Sequence, residues 1–401
     1  MKPVKVSTRG ATSPASPIRK LVPLAVKAKE SGKTVHMLNI GQPDLITPQP
    51  MWDAVLKNPP AVLAYSPSEG FPELRHAMAR YYEKLDIRIG ADQIIVTTGA
   101  SEALVFAVAS IADPGDEILI PEPLYANYIG FSHMLGVKVV PIPTRPEDGY
   151  HLPPRDVWEG KITARTRAMI VCNPGNPTGT VYRPDEVEMV LGIAKDHGLF
   201  VVADEVYREF CFDGERHRSF MNYRETEDRV ILIDSISKRF SACGARIGAV
   251  STTNREVYEA CHHFSQARLS PPTLGQLMAV DAFGFDDAYY AKLAGAYVER
   301  RDAVMEELRK MPGVLCEVPK GAFYAMAKLP VDDSDTFAAW MLSDFAHEGE
   351  TTFVAPGGGF YATPGAGKQE VRIAYVFEAN VMRRAMEVLG KGLEAYPGRI
   401  G

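Results

Sequence analysis

Long apolar runs are missing from this 401-residue chain: no stretch approaches the ~18 residues that a bilayer-spanning helix requires, so no membrane partner is expected. A basic excess is missing too. The formal net charge is −6, from 44 lysines and arginines against 50 aspartates and glutamates, which argues against a nucleic-acid backbone as partner. Cysteine is scarce. The five present (Cys172, Cys211, Cys243, Cys261 and Cys316) are scattered and lack C-x-x-C spacing, which excludes a disulfide framework and points to reduced thiols in a cytoplasmic protein. The opening stretch MKPVKVSTRGATSPASPIRK is basic but has no apolar h-region, so it does not read as a secretory signal.

Several chemical signatures are absent as well. GAGKQE (365–370) resembles part of a phosphate-binding loop, but Ala362 stands where the first glycine belongs and Gln369 where Ser or Thr is needed. No G-x-G-x-x-G follows a strand-like run, which leaves a Rossmann dinucleotide site unsupported. His262-His263 lacks metal-type spacing and H-E-x-x-H does not occur, so no metal site is expected.

What is present is alternation. Short β-rich runs recur at QIIVTT (93–98), EILIP (117–121), VKVVPI (137–142), RAMIVC (167–172), LFVVAD (199–204), RVILID (229–234) and RIGAVS (246–251). Most are continuously apolar, as strands covered on both faces must be. Helical patterns lie between several of them; PDEVEMVLGIAKDHG (184–198) opens with Pro and Asp and closes at Gly198. This alternation predicts an α/β architecture. The last third changes character, with a long helical pattern at 287–311, strand-like GAFYAMAKL and VRIAYV, and a closing helix NVMRRAMEVLGKGLEAY. The expected division is a large domain over 51–290 and a smaller α+β domain over 291–401. Residues 1–50 would serve as an arm and as part of the small domain, because termini often lie close together.

In open α/β sheets ligands bind beyond the carboxyl ends of the strands. After IIVTT comes Gly99-Ala-Ser-Glu-Ala-Leu104, either a plain strand–helix turn or a helix start whose amides hold an anion. After MIVC comes Asn173-Pro-Gly-Asn-Pro-Thr-Gly179, a stiff loop with Asn176 at its centre. After LFVV comes Asp204, a helix cap or a carboxylate awaiting a cation. After VILID come Ser235, Ser237, Lys238 and, eight residues past the lysine, Arg246. A solvated lysine is the usual reading of such a position. Four strand ends offering phosphate donors, a carboxylate, an amide and a lysine suggest one shared site.

Taken in order, LNIGQPD (38–44), YSPSEGFPELRHAM (65–78), VTTGASEAL (96–104), PEPLYANY (121–128), NPGNPTG (173–179), VVADEVY (201–207), SISKRFSACGARIG (235–248), GAFYAM (321–326) and VRIAYV (371–376) resemble the class I aminotransferases of pyridoxal-phosphate fold type I, over nearly the whole chain. The resemblance implies a large domain around a mixed, mostly parallel seven-stranded sheet. It implies pyridoxal 5′-phosphate as cofactor, amino acids and 2-oxo acids as substrates, and a homodimer with shared active sites. It assigns Lys238 as the Schiff-base lysine and proton carrier, Asp204 as the partner of the ring nitrogen, and Asn176 and Tyr207 as donors to the ring oxygen. Tyr125 would stack on the ring. Ala100, Ser101, Ser235, Ser237 and Arg246 would hold the phosphate, with Tyr65 reaching the neighbouring subunit's site and Ser270 near that boundary. Arg372 would grip the substrate α-carboxylate, supported by Gly41.

The shared motifs do not separate substrates. The general look of SPIRKL and SKRFSACGARIG leans towards aspartate, whose distal carboxylate requires a further cation, and Arg19, Lys20 and Arg268 are the candidates. Two other readings use the same residues: a β-lyase or related synthase of the same fold, and a non-catalytic cofactor-binding regulatory protein.

Overall fold

The computed structural model describes residues 4–57 and 59–400. Its strands, in chain order, are β1 (Thr34–Met37), β2 (Ile94–Thr97), β3 (Glu117–Glu122), β4 (Lys138–Pro143), β5 (Thr166–Cys172), β6 (Phe200–Asp204), β7 (Val230–Ser235), β8 (Gly248–Ser251), β9 (Tyr324–Lys328), β10 (Glu350–Phe353), β11 (Ala355–Pro356) and β12 (Glu370–Ala374). The seven apolar runs between 93 and 251 become β2 to β8, and these form one sheet in the order β2-β8-β7-β6-β5-β3-β4. Alternate side chains of one strand enter opposite cores. Leu119, Met169, Val171, Val201 and Leu232 lie in one, and Ile118, Ile120, Ile170, Val202 and Ile231 in the other. Both faces are covered, which is why the strands are apolar without alternation.

Strand direction sets the site. β4, β3, β5, β6 and β7 pair in parallel. β8 alone runs antiparallel to both of its neighbours, β7 and β2. The carboxyl ends of β2, β5, β6 and β7 therefore share one edge with the amino end of β8. Gly248 stands beside Thr97 on one side and Ser235 on the other. A parallel β8 would send Arg246 to the far edge.

A second core assembles from both ends of the chain. The helix Asp287–Leu308 packs on the helix Ala379–Ala395, and β12 is the central strand of a β11-β12-β9 sheet. The apolar face of the last helix (Met382, Ala385, Met386, Leu389, Leu393) is buried in this core beside Leu38, Phe323 and Ile373. β1 pairs in parallel with β10, which ties the first fifty residues to the last sixty. The helix Asp287–Leu308 runs unbroken through position 290. Among the described residues no helix is long and apolar enough to cross a membrane, and no group of three or more His, Cys, Asp or Glu is placed to hold a metal.

Candidate active site

A cavity of about 560 Å³ opens at this shared edge. Its lining includes Gly41, Ala100, Ser101, Tyr125, Asn176, Asp204, Tyr207, Ser235, Ser237, Lys238, Arg246 and Arg372. Of the residues expected to hold the cofactor and the α-carboxylate, all but Tyr65 are in this lining; Tyr65 is 80% exposed. Ser270 also lies outside the lining, half-buried.

The phosphate-type end is built by three elements. The helix Gly99–Ile111 starts there with unpaired first-turn amides, including those of Ala100 and Ser101. Ser235 caps the short helix Ile236–Arg239, its Oγ accepting from the Ser237 amide at 3.1 Å and lying 2.9 Å from Ser237 Oγ. Arg246 has a left-handed backbone, φ 55°, and donates to the carbonyls of Cys243 and Thr98. Position 99 favours glycine because its φ is 73°, and a Cβ there would also displace the Arg246 guanidinium, whose Nη2 would lie 2.4 Å away.

Asp204 ends β6 and is 3% exposed. Its Oδ2 accepts from Tyr128 Oη at 2.7 Å and its Oδ1 from the Val206 amide at 3.4 Å. Burial nevertheless raises its pKa to about 6. Tyr128 was not singled out in the sequence; as an apolar-patterned tyrosine it reads as ordinary core. Tyr207 Oη lies 2.9 Å from Tyr324 Oη, and burial holds the Tyr207 phenol well above 10. Tyr324 was likewise missed, although GAFYAM carried it. Tyr125 packs edge-on against Tyr128 and accepts from Asn127 Nδ2 at 2.7 Å.

Lys238 Nζ donates to the Gly41 carbonyl at 2.9 Å, so Gly41 meets the lysine by its oxygen. Any Cβ at position 41 would lie 1.9 Å from Tyr324 Oη, which restricts the position to glycine. Arg372, from the middle of β12, is 2% exposed. It donates to Asn176 Oδ1 at 3.0 Å and to the Asn39 carbonyl at 2.7 Å, and its guanidinium lies 4.5 Å and 4.8 Å from the ring centres of Tyr324 and Phe360. Its Nε is buried with no partner. A guanidinium has five N–H donors, so a carboxylate can still be held bidentately at this arginine.

Of the three cations considered for a distal carboxylate, the structure removes two from the cavity. Arg268 pairs with Glu102 at 2.8 Å and donates to the carbonyls of Ser68 and Val96, which makes it an internal clamp. Lys20 pairs with Asp335 at 2.5 Å. Only Arg19 lines the cavity.

Comparison with known proteins agrees with this architecture. The sequence profile described as Aminotransferase class I and II matches residues 33–389. The chain is 30% identical over 385 residues to an aspartate aminotransferase of Pyrococcus horikoshii, covering 94% of this chain and 95% of that protein. It is 31% identical over 369 residues to an aspartate aminotransferase of Sulfolobus acidocaldarius, covering 90% of each. Among solved structures, an alanine aminotransferase from Pyrococcus furiosus superposes with a TM-score of 0.89 at 30% identity, over 97% of this chain and 100% of that one. Thermus thermophilus aspartate aminotransferase with maleate gives 0.87 at 28% identity with the same coverage. By sequence, sheet order and overall superposition, the chain belongs to the class I and II aminotransferase family, of pyridoxal-phosphate fold type I.

Proposed function

We propose that this chain binds pyridoxal 5′-phosphate in the cavity and moves an amino group between an L-amino acid, with aspartate the preferred donor, and a 2-oxo acid such as 2-oxoglutarate, in ping-pong order. The observation that carries the reading is Asp204, a carboxylate buried with hydrogen bonds but no ion-pair partner among the described residues, in one cavity with Lys238 and Arg372. Such a group calls for a cation. The donor set fits the cofactor: an anion cradle of helix amides, two serines and Arg246 at one end, a carboxylate for a ring nitrogen, and a lysine for an aldehyde.

When bound, the cofactor supplies an aldehyde for covalent attachment and a ring that withdraws electrons from the substrate Cα. Asp204 would hold a proton on the ring nitrogen. Ser235, Ser237, Arg246 and the amides of Ala100 and Ser101 hold the phosphate, each charge-assisted bond contributing about 1.5–3 kcal/mol. Arg372 takes the α-carboxylate with Asn176 and Asn39 bracing it, which orients the Cα–H bond. Lys238 Nζ carries the proton from Cα. Tyr207 and Asn176 would donate to the ring oxygen, and Tyr125 would lie against the ring.

The proposal includes a homodimer. Tyr65 stands exposed beside Val62 and Leu63, 75% and 63% exposed, as a contact with a second copy would require. Five unpaired cysteines suit a cytoplasmic setting. The test is a half-reaction. The protein loaded with cofactor is mixed with single amino acids, and its visible absorbance should fall with aspartate and return on adding 2-oxoglutarate. A Lys238→Ala protein should retain no cofactor covalently after borohydride reduction, by intact mass. Absorbance indifferent to every common amino acid, or covalent retention by the variant, would sink the reading.

A further inference from the structure

Charge accounting in the cavity leaves one side chain without a task. The lining holds four cations, Arg19, Lys238, Arg246 and Arg372, and one carboxylate, Asp204. Under the proposed function Arg246 meets the phosphate, Asp204 the ring nitrogen, Lys238 the aldehyde and Arg372 the α-carboxylate. Arg19 has no counterpart. Its guanidinium makes no hydrogen bond or ion pair among the described residues, whereas its neighbour Lys20 is taken by Asp335.

Arg19 is exposed, but the backbone carrying it is anchored. Asn39 Nδ2 donates to the Ile18 carbonyl at 3.1 Å, and the Asn39 carbonyl accepts from Arg372 Nη2 at 2.7 Å. Ile18 packs on the cluster containing Phe360, and Phe360 is also the ring under the Arg372 guanidinium. The same two residues, Asn39 and Phe360, thus contact both the segment bearing Arg19 and Arg372, which lines the same cavity. The same cavity wall also contributes neutral polar groups, Tyr125, Asn127 and Tyr324. Two arginines registered through shared supports suit a molecule with a carboxylate at each end.

We propose that Arg19 is the specificity-determining residue of this enzyme, binding the distal carboxylate of dicarboxylic amino acids and oxo acids; this rests on the transaminase reading above. The test compares wild type with Arg19→Met, Arg19→Lys and Lys20→Met, each loaded with cofactor. Arg19→Met should lower kcat/KM for aspartate by about tenfold to a hundredfold, the range of one charge-assisted bond, mainly through KM. Alanine turnover should stay within about twofold, since it engages no second carboxylate. Arg19→Lys should fall between, and Lys20→Met should match wild type. Calorimetry supplies a readout independent of turnover: succinate should bind the Arg19→Met protein more weakly by a similar factor, and butyrate equally well. Equal losses for aspartate and alanine, or unchanged succinate binding, would overturn the assignment. A wild type that turns over no amino acid would instead refute the transaminase reading, and succinate binding would still decide the role of Arg19.

Discussion

At Asp204 the chain keeps a carboxylate 3% exposed with only a phenol, an amide and a nearby lysine to offset burial. Its pKa rises from the ordinary 3.8 to about 6 because burial disfavours the charged form. The native group is thus harder to ionise than the unfolded one. Its contribution to stability is complete below pH 4 and is lost as pH climbs through 6, a difference of about 3 kcal/mol. The cofactor-free Asp204→Asn protein should therefore melt higher than wild type at pH 7.5, and the gap should close below pH 4 in calorimetric scans. In the loaded protein the same variant should lose most of its turnover. A melting difference that does not change with pH would remove the buried-charge argument.

The turns after β6 and β7 are tied to each other by a buried ionic network. Arg208 bridges Glu205 and Asp234 at 3.4 and 3.5 Å, Arg239 bonds Asp234 directly, and Tyr82 donates to Asp234 at 3.1 Å. Burial alone would raise the Asp234 pKa, but the two arginines outweigh it and hold the group below its usual value. Glu205, closer to only one arginine, is pushed up to about 7 by burial. Arg239 is the next residue after Lys238, so this network seats the short helix that presents the lysine. Asp234→Asn leaves Arg208 with Glu205 alone and the buried Arg239 guanidinium with no ion-pair partner among the described residues, and should cost about 3–5 kcal/mol in urea unfolding. A loss under about 1 kcal/mol would mean the network is not what holds these turns.

Across the whole molecule, the cavity forms where three parts of the chain meet: one edge of the large sheet, the β12 sheet and the segment 16–41. Tyr65 stands outside it, with Val62, Leu63 and Leu274 exposed near by in sequence or through Thr273, whose hydroxyl bonds the Ala64 carbonyl. Sedimentation should give about twice the 44.0 kDa chain mass. Tyr65→Ala should weaken cofactor retention without unfolding the chain, measured by fluorescence on dilution. A monomer with full cofactor affinity would contradict the shared site.

The seven strands of the large sheet were legible because burial on both faces forces unbroken apolar runs, and the placing of Asp204, Lys238 and Asn176 in one cavity was legible because the first ends a strand and the others follow one within four residues. The direction of β8 was not legible: four short apolar residues pair as readily either way, and only the neighbours decide. Tyr128 and Tyr324 also gave no local sign, since a tyrosine contacting a partner 76 or 117 positions away has the same sequence pattern as any core aromatic. The choice among Arg19, Lys20 and Arg268 belongs to the same class. By itself the sequence determined the family, the strands and most of the residues that line the cavity, because local burial patterns and the residues that follow each strand are written residue by residue. The tertiary structure alone decided which of these cations lines the cavity unpaired among the described residues, because a charge is neutralised by whatever lies within a few ångströms in space, and chain order does not encode that distance.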